Sequence, residues 1–486
     1  MKKSVLYSLL GFSALMAAVS VSALADDDRH DDKKSHGTPD FGQFRDQMLN
    51  QRSMQFFGIK KPLDSESIQS VSIDTAEANP VSMVTLAKGL QARVVASNAD
   101  LGANIDMMAL YPQDNPTHLI VCNEQGPAQP GLQRVSLSDG SVETILTGTQ
   151  SCDPVHTTAW GTIVFGEEAG NSGTILEMIN PLQTTGVLYD RSSGTFSGAD
   201  AGNVTERPAV GHLSFEGVVI YPNGVMYYGD ENRPSNGTAG GAYFKFIPDV
   251  PWNGGAPITG LDQSPLAHGS VYGLRLGNRN GGTDYGQGSN TGRGTWIAVD
   301  NSYDADLRAA AASLKLTGYY RPEDASADEK AKAVGMVRFC ANNTGNEESN
   351  RNWGETICIT DGSLEEATFN LAVPEVQYFM IGNRDMGMVD NIAYQPGRGN
   401  WVLQTDRDAV GMSDEGYPFN NSIWICLEDG DDVDTLTDGC IRVINLNDLN
   451  AESTGGLFDA TGKSYYFSVQ HNVTGHGTIL RVDGWK

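Results

Sequence analysis

The chain has 486 residues, with 60 acidic against 33 basic side chains and a formal net charge of −27 at pH 7. This balance argues against a nucleic-acid partner, because phosphate backbones are bound by basic surfaces. The surplus of carboxylates suits calcium binding, although it can also serve solubility alone. The 56 glycines and 20 prolines separate short apolar runs from about residue 90 to the end.

The N-terminus has the pattern of an export signal. A positive segment at Lys2-Lys3 precedes the apolar run Val5–Val21 and the small-residue cleavage site Ala23–Ala25. We therefore expect a signal peptide over residues 1–25 and a periplasmic or secreted protein. The charged residues 26–45 predict a disordered tail. No later apolar run is long enough to span a bilayer.

Apolar segments of four to seven residues with strand-type composition recur along the rest of the chain, several of them in hairpins. The chain is too long for one sandwich, whereas a propeller of small repeated sheets accommodates it. We predict an all-β β-propeller with a few inserted helices, as one domain over residues 46–486 with an N-terminal packing segment. Helices are predicted over Asp304–Leu316 and Ala325–Ala333. The Gly/Asn-rich stretch Gly277–Gly294 predicts a surface loop.

Three predicted hairpins have, at both ends, a residue of a type that commonly ligates metals. Residues equidistant from the turn lie opposite each other in an antiparallel hairpin. That rule predicts three facing pairs: Glu216 with Asp230, Asp390 with Asp406, and Cys152 with Glu168. Like charges opposed across a ladder are destabilising, so bound cations are the natural explanation. For any one carboxylate pair alone, a solvated strand end is the simpler interpretation.

Six cysteines in an exported chain predict disulfides. Cys340 with Cys358, and Cys426 with Cys440, flank loops and are expected to close them at their bases. Two exclusive interpretations remain for Cys122 and Cys152. Either they form a third disulfide, or Cys152 is a thiolate metal ligand and Cys122 is buried and inert.

A second candidate element follows the first predicted helix, at Tyr320–Asp324. Pro322 disfavours helix at Arg321, so this segment is expected to be extended. Arg321 and Glu323 then lie on the same face. This predicts a clamp for phosphate or carboxylate beside a metal ligand. The alternative is an Arg–Glu salt bridge in a loop.

Several motifs, in one order, resemble those of the PhoX-type alkaline phosphatases over roughly residues 140–475. They are Cys152 with Thr158–Thr162 and Glu167-Glu168, Gly211–Val218, Leu307–Ala311 with Tyr320–Asp324, Val389–Ala393, Gln404–Asp406 and Val469–His471. The resemblance implies a six-bladed β-propeller with a cluster of iron and calcium at one mouth of its channel, where phosphomonoesters are hydrolysed.

The resemblance also implies roles for individual residues. Cys152 would be a thiolate ligand to iron, and Arg321 would hold the phosphate, with Glu323 beside it as the second catalytic candidate. Carboxylates would be shared between iron and calcium, which matches the preference of calcium for oxygen ligands. The implied carboxylate ligands are Glu167, Glu168, Glu216, Glu323 and Asp406, with Asp390 as a further candidate. The expected partner is a small phosphoester, and the expected state is a monomer.

Two features depart from the family pattern: the signal lacks twin arginines, and no lysine precedes Cys152 where the family keeps a basic phosphate contact. They leave two alternatives to a phosphatase. One is a non-catalytic propeller that calcium stabilises and that binds a partner. The other is a calcium propeller that hydrolyses lactones or phosphotriesters and needs no cysteine ligand.

Overall fold

Short antiparallel strands make up most of the regular structure. The computed structural model describes residues 43–234, 240–277, 291–345, 353–407, 419–429 and 435–486. The predicted signal peptide, most of the charged tail and the centre of the loop predicted over 277–294 lie outside these residues. The described residues begin with a helix at Gln43.

Five α-helices lie within the described ranges, and none of them is long and apolar enough to cross a membrane. They are α1 (Gln43–Phe56), α2 (Ile73–Ala78), α3 (Leu307–Leu314), α4 (Glu329–Ala333) and α5 (Leu364–Thr368). Single 3-10 turns occupy Pro80–Met83, Gly170–Ser172, Ala201–Asn203, Pro208–Val210, Leu261–Gln263 and Pro265–Ala267.

The strands form six four-stranded antiparallel units, called blades 1 to 6 below. Two strands precede the blades: β1 (Val84–Leu86) and β2 (Gln91–Ser97). Blade 1 contains β3 (Ile105–Tyr111), β4 (His118–Asn123), β5 (Pro130–Ser136) and β6 (Val142–Thr147). Blade 2 contains β7 (Cys152–Thr157), β8 (Ile163–Glu167), β9 (Ile175–Met178) and β12 (Val204–Glu206). Between the last two, β10 (Val187–Asp190) and β11 (Thr195–Ser197) extend the outer edge of blade 1.

Blades 3 and 4 belong to one nine-stranded sheet. Blade 3 contains β13 (Phe215–Ile220), β14 (Met226–Asp230), β15 (Tyr243–Pro248) and β16 (Gly269–Leu276). Blade 4 contains β18 (Pro322–Ala327), β19 (Met336–Asn343), β20 (Glu355–Ser363) and β21 (Glu375–Ile381). The strand β17 (Gly292–Ala298) joins them, because it pairs with both β16 and β21.

The last two blades depend on the N-terminal strands. Blade 5 contains β22 (Val389–Tyr394), β23 (Trp401–Thr405), β24 (Ser422–Cys426) and β25 (Cys440–Leu446), and β1 pairs with β25 at its edge. Blade 6 contains β26 (Glu452–Phe458), β27 (Ser464–Gln470) and β28 (Thr478–Asp483). Its fourth strand is β2, which pairs antiparallel with β28. Strands from both ends of the chain therefore close the ring.

The first strands of the blades, called inner strands below, contact one another in the order β3, β7, β13, β18, β22, β26 and back to β3. Six clusters of buried apolar residues each lie between two successive blades. For example, Leu132 of blade 1 packs with Val155 and Phe165 of blade 2. This arrangement confirms the predicted all-β propeller with inserted helices.

One of the two predicted helices is confirmed and the other is wrong over its first half. The helix α3 begins after Asp306, whose carboxylate accepts a hydrogen bond from the Ala309 N–H at 2.9 Å. The segment predicted as helix from Ala325 instead continues as β18, because it pairs with β19 as an inner strand. The helix α4 starts only after Asp328, which caps its first turn.

Two predicted disulfides are confirmed. Cys340 pairs directly with Cys358 across β19 and β20, and Cys426 with Cys440 across β24 and β25. In both cases the two Cα atoms are 4.0 Å apart. These bonds fix neighbouring strands of blades 4 and 5.

Candidate metal centre

Five inner strands begin with a β-bulge, in which two residues oppose a single residue of the next strand. The first residue of each bulge is acidic. These residues are Asp106, Asp153, Glu216, Glu323 and Asp390. A bulge redirects side chains relative to a regular strand. Because the inner strands surround the axis, the bulges bring five carboxylates from five blades to one mouth of the channel.

A second set of polar residues follows the second strand of each blade. Four are carboxylates and two are not: Glu124, Glu168, Glu231, Thr344, Asp406 and His471. Blade 6 departs from the pattern, since its bulge lies at Gly455-Gly456 and its carboxylate is Glu452, earlier in the strand. The ten acidic residues are called the carboxylate cluster below. They are Asp106, Glu124, Asp153, Glu168, Glu216, Glu231, Glu323, Asp390, Asp406 and Glu452.

Two groups within the carboxylate cluster have the geometry of cation sites. Oxygens of Asp153, Glu168 and Glu216 lie within 4.8 Å of one another, and so do oxygens of Glu216, Glu323 and Asp390. Glu216 belongs to both groups, so two cations bound there would be neighbours. The buried atoms Asp106 Oδ1 and Asp153 Oδ1 have no hydrogen-bond partner among the described residues. An all-oxygen set with unsatisfied buried oxygens fits a hard cation such as calcium.

Burial and mutual repulsion shift the pKa values of the cluster. Burial raises the pKa of Asp153 to about 7, and the charge of Glu124 adds to the shift. The pKa of Glu216 is raised by burial and then by the charge of Asp153. Burial alone would raise the pKa of Asp406, but a hydrogen bond from Glu452 and the charge of Arg321 lower it. Without cations, the carboxylates with raised pKa values, such as Asp153 and Glu216, therefore stay protonated to a higher pH in the folded protein than in the unfolded chain.

Arg321 enters the carboxylate cluster immediately before β18. Its Nε lies 2.7 Å from Glu231 Oε1 and 2.7 Å from Glu323 Oε1, and its Nη1 lies 3.4 Å from Asp406 Oδ2. Arg321 lies in a bend with a φ of 60°, so the prediction that the segment is extended there is wrong, and the ion pair with Glu323 is the contact that the salt-bridge alternative predicted. Thr344 also donates a hydrogen bond to Glu323 Oε1 at 2.8 Å. The guanidinium thus joins carboxylates of blades 3, 4 and 5.

Two predicted ligands are not part of the cluster. Cys152 forms a disulfide with Cys122, so the prediction that it is a thiolate ligand is wrong and the alternative interpretation is confirmed. Both sulfurs lie in the apolar cluster between blades 1 and 2. Glu167 also lies away from the axis, where its Oε1 is 2.8 Å from Arg191 Nε and accepts a hydrogen bond from the Gln150 N–H. Successive strand residues point to opposite faces, which explains why Glu168 enters the cluster and Glu167 does not.

The predicted facing pairs are displaced, by one residue for Glu216 with Asp230 and for Cys152 with Glu168, and by two for Asp390 with Asp406. Asp230 pairs with Phe215, Thr405 with Val389, and Glu167 with Cys152. The extra residue in each bulge accounts for one residue of the displacement, because the rule of equal distance from the turn assumes a regular ladder. The Asp230 carboxylate is instead held by Arg308, whose Nε lies 2.9 Å from Oδ2.

The structure brings together Glu168, Glu216, Glu323, Asp390, Asp406 and Arg321, as predicted. It adds five carboxylates that were not predicted as ligands: Asp106, Glu124, Asp153, Glu231 and Glu452. A signal for two of them was present in the sequence, since an acid follows the first residue of each bulged strand, as in Ile105-Asp106 and Cys152-Asp153. Only an alignment of the blades against one another would have exposed that repeat.

The fold and site define a class: a six-bladed β-propeller with a buried ring of carboxylates at one mouth. The profile of the family described as alkaline phosphatase PhoX matches residues 121–472. The chain therefore belongs to the PhoX alkaline phosphatase family. A comparison with curated proteins finds no match.

Several solved structures are similar to this chain at low sequence identity. PhoX of Pseudomonas fluorescens, solved in complex with vanadate as a transition-state analogue, is 14% identical, with a TM-score of 0.61 over 87% of this chain and 98% of that chain. A gluconolactonase of Xanthomonas campestris is 12% identical, with a TM-score of 0.41 over 87% and 97%. The soluble aldose sugar dehydrogenase of Escherichia coli is 11% identical, with a TM-score of 0.41 over 81% and 99%. At these identities, the similarity to PhoX supports the fold.

Proposed function

We propose that this protein is a metal-dependent phosphomonoesterase that uses the carboxylate cluster to hold calcium, and that it acts in the periplasm or outside the cell. The observation that carries the proposal is the cluster itself, with Arg321 inside it, in a chain of the PhoX family. The export-signal pattern and the three disulfides support the location, because disulfides persist in oxidising compartments.

The carboxylate cluster has more negative charge than its own cation can balance. Arg321 is one guanidinium among ten carboxylates, so further cations are needed before a phosphate dianion can approach. Bound calcium would neutralise phosphoryl oxygens and lower the pKa of a bound water. Glu216 would hold two ions side by side, because it belongs to both groups of ligand oxygens.

Arg321 is the candidate for holding the phosphate. Glu231 and Glu323 fix its Nε, and Asp406 lies near Nη1. The two Nη nitrogens are therefore the candidate donors for a phosphoryl oxygen, since the contact of Nη1 with Asp406 Oδ2 is as long as 3.4 Å. Glu323 would contribute by orienting this guanidinium while its carboxylate ligates a cation. A planar donor group held in this way suits recognition of phosphate.

The disulfide between Cys122 and Cys152 bears on the choice of metal. Calcium needs oxygen ligands alone, and the cluster supplies them. Iron would have to be held by carboxylates, without the predicted thiolate. The same disulfide favours a second candidate function, a calcium-dependent hydrolase of lactones or phosphotriesters, because that chemistry needs no cysteine ligand. A non-catalytic calcium propeller is the remaining alternative.

The test is to strip the purified mature chain of metals and to reload it with calcium, iron or both. An aryl phosphomonoester, an aryl phosphotriester and a lactone are offered to each sample, and the bound metals are quantified. We expect calcium to be bound and the monoester to be hydrolysed, with activity lost in Glu323→Gln. The matched control is Glu375→Gln, an outer-strand carboxylate of the same blade that pairs with Arg293. Hydrolysis of only the triester or lactone, or of nothing, would refute the phosphomonoesterase proposal.

A further inference from the structure

A second arginine lies at the rim of the carboxylate cluster. Arg233 follows β14 by three residues, and its Nε is 3.9 Å from Glu231 Oε1. This is the same oxygen that Arg321 Nε approaches to 2.7 Å. Pro234 disfavours helix at Arg233, so the segment is extended and residues 231 and 233 lie on one side of it. Two guanidiniums from different blades therefore share one carboxylate.

The two arginines differ in how much they are exposed and how firmly they are bound. The Arg233 side chain is 56% exposed, whereas that of Arg321 is 15% exposed. Arg321 has two contacts of 2.7 Å, with Glu231 and Glu323, while the ion pair of Arg233 among the described residues is longer than a hydrogen bond.

A phosphate bound at this mouth would have two environments. Its inner oxygens would face the cations and Arg321, and its outer oxygens would face the solvent rim. Arg321 cannot serve the outer oxygens, because its guanidinium is held among Glu231, Glu323 and Asp406. Arg233 is the exposed guanidinium next to Glu231, and its side chain is long and carries five N–H donors that could serve these outer oxygens.

We propose that Arg233 is a substrate-binding residue that contacts the outer oxygens of a phosphomonoester dianion. The inference rests on the proposed phosphoesterase function and adds a residue that the sequence patterns did not single out. Arg233 would stabilise the bound dianion in the ground state and in the transition state alike. Its loss would then raise KM and leave kcat nearly unchanged.

The variants are Arg233→Gln and Arg233→Lys, with Arg93→Gln as the matched control. Arg93 is 58% exposed and pairs with Asp483 on blade 6, away from the cluster. Steady-state kinetics on an aryl phosphomonoester are measured with calcium-loaded protein, and calorimetry measures binding of inorganic phosphate to the same samples. We expect Arg233→Gln to raise KM and the Kd for phosphate about tenfold or more, Arg233→Lys to restore part of the loss, and Arg93→Gln to change neither.

The two readouts separate this inference from the proposed function. If the wild type hydrolyses the ester and Arg233→Gln matches it in both KM and phosphate affinity, the role of Arg233 is refuted while the function stands. If the wild type binds phosphate through Arg233 but hydrolyses nothing, the binding role stands and the function falls. If the calcium-loaded wild type binds no phosphate, both are refuted.

Discussion

Without bound cations, the stability of this protein is expected to fall as the pH rises from about 4 to about 7. Burial raises the pKa of Asp153 from 3.8 to about 7. The folded state then binds more protons than the unfolded state between these two pKa values. The free energy of unfolding changes with pH in proportion to the number of protons bound by the unfolded state minus the number bound by the folded state. Since the folded state binds more protons here, the free energy of unfolding decreases as the pH rises. The stabilisation that protonated Asp153 contributes is fully present below about pH 4 and is lost as the pH rises through about 7.

The size of the effect follows from the shift. About three pKa units at about 1.4 kcal/mol per unit give a loss on the order of 4 kcal/mol from Asp153 alone. The raised pKa values of Glu216, Glu323 and Asp390 act in the same direction, whereas the lowered pKa of Asp406 opposes them. Calcium binds the deprotonated carboxylates, so it should stabilise the protein increasingly as the pH rises.

The assay is urea unfolding at several pH values, with EDTA and with excess calcium. The difference between the two conditions removes calcium-independent contributions, such as that of Glu355, whose pKa burial raises to about 8. We expect the calcium-dependent stabilisation to grow by at least several kcal/mol over this range, less in Asp153→Asn and equally in Asp139→Asn. Asp139 is exposed and its pKa is lowered by hydrogen bonds from Ser136 and Ser141, so it is ionised throughout. A calcium effect of the same size at both ends of the range would refute the reasoning.

Two other predictions address the cysteines and the interface of blades 3 and 4. The chain unfolded without reductant should show no reactive thiol, and Cys152→Ser should bind calcium normally while losing about 3–4 kcal/mol of stability, because the 30-residue loop is no longer closed. Reactive thiols in the unfolded wild type, together with loss of bound iron from Cys152→Ser at unchanged fold, would instead support the thiolate role. Lys245→Met should lower the free energy of unfolding measured in urea by about 3–5 kcal/mol. The variant removes an ion pair of 2.7 Å and leaves the buried Asp361 carboxylate without its cationic partner. Wild-type stability would contradict this, since both side chains are fully buried.

The class of fold could be predicted from the sequence because most strands of a propeller pair with strands that are adjacent along the chain. Each strand runs next to its chain neighbour, so alternating apolar runs and Gly-rich turns predict the hairpins directly. Closure of the ring was not predictable in this way, since β2 pairs with β28 across nearly the whole chain. The second half of β18 was misassigned as helix because Ala325–Ala327 carries helix-forming residues, while its pairing with β19 is a tertiary effect.

The site was predicted in its chemistry but not in its register. Glu216 and Asp390 were assigned from hairpin symmetry, and the bulges moved their strand partners by one residue while leaving both carboxylates at the mouth. Asp106 was missed because a regular hairpin places the neutral Asn123 opposite it, and the acidic Glu124 lies one residue further on. Bulges depend on how the inner strands meet around the axis, which no local pattern encodes.

The bulge at the start of β7 directs the side chains of two adjacent residues, Cys152 and Asp153, to different neighbours. Cys152 turns towards blade 1 and bonds to Cys122, whereas Asp153 turns into the ring of carboxylates. A disulfide sulfur is not a thiolate, so the oxidised chain offers a cation at this position an oxygen and no sulfur. Oxygen-only ligation suits calcium, and the bias towards a transition metal that a thiolate would bring is absent. In the oxidising compartment expected for this chain, the disulfide and the preference for calcium therefore support each other.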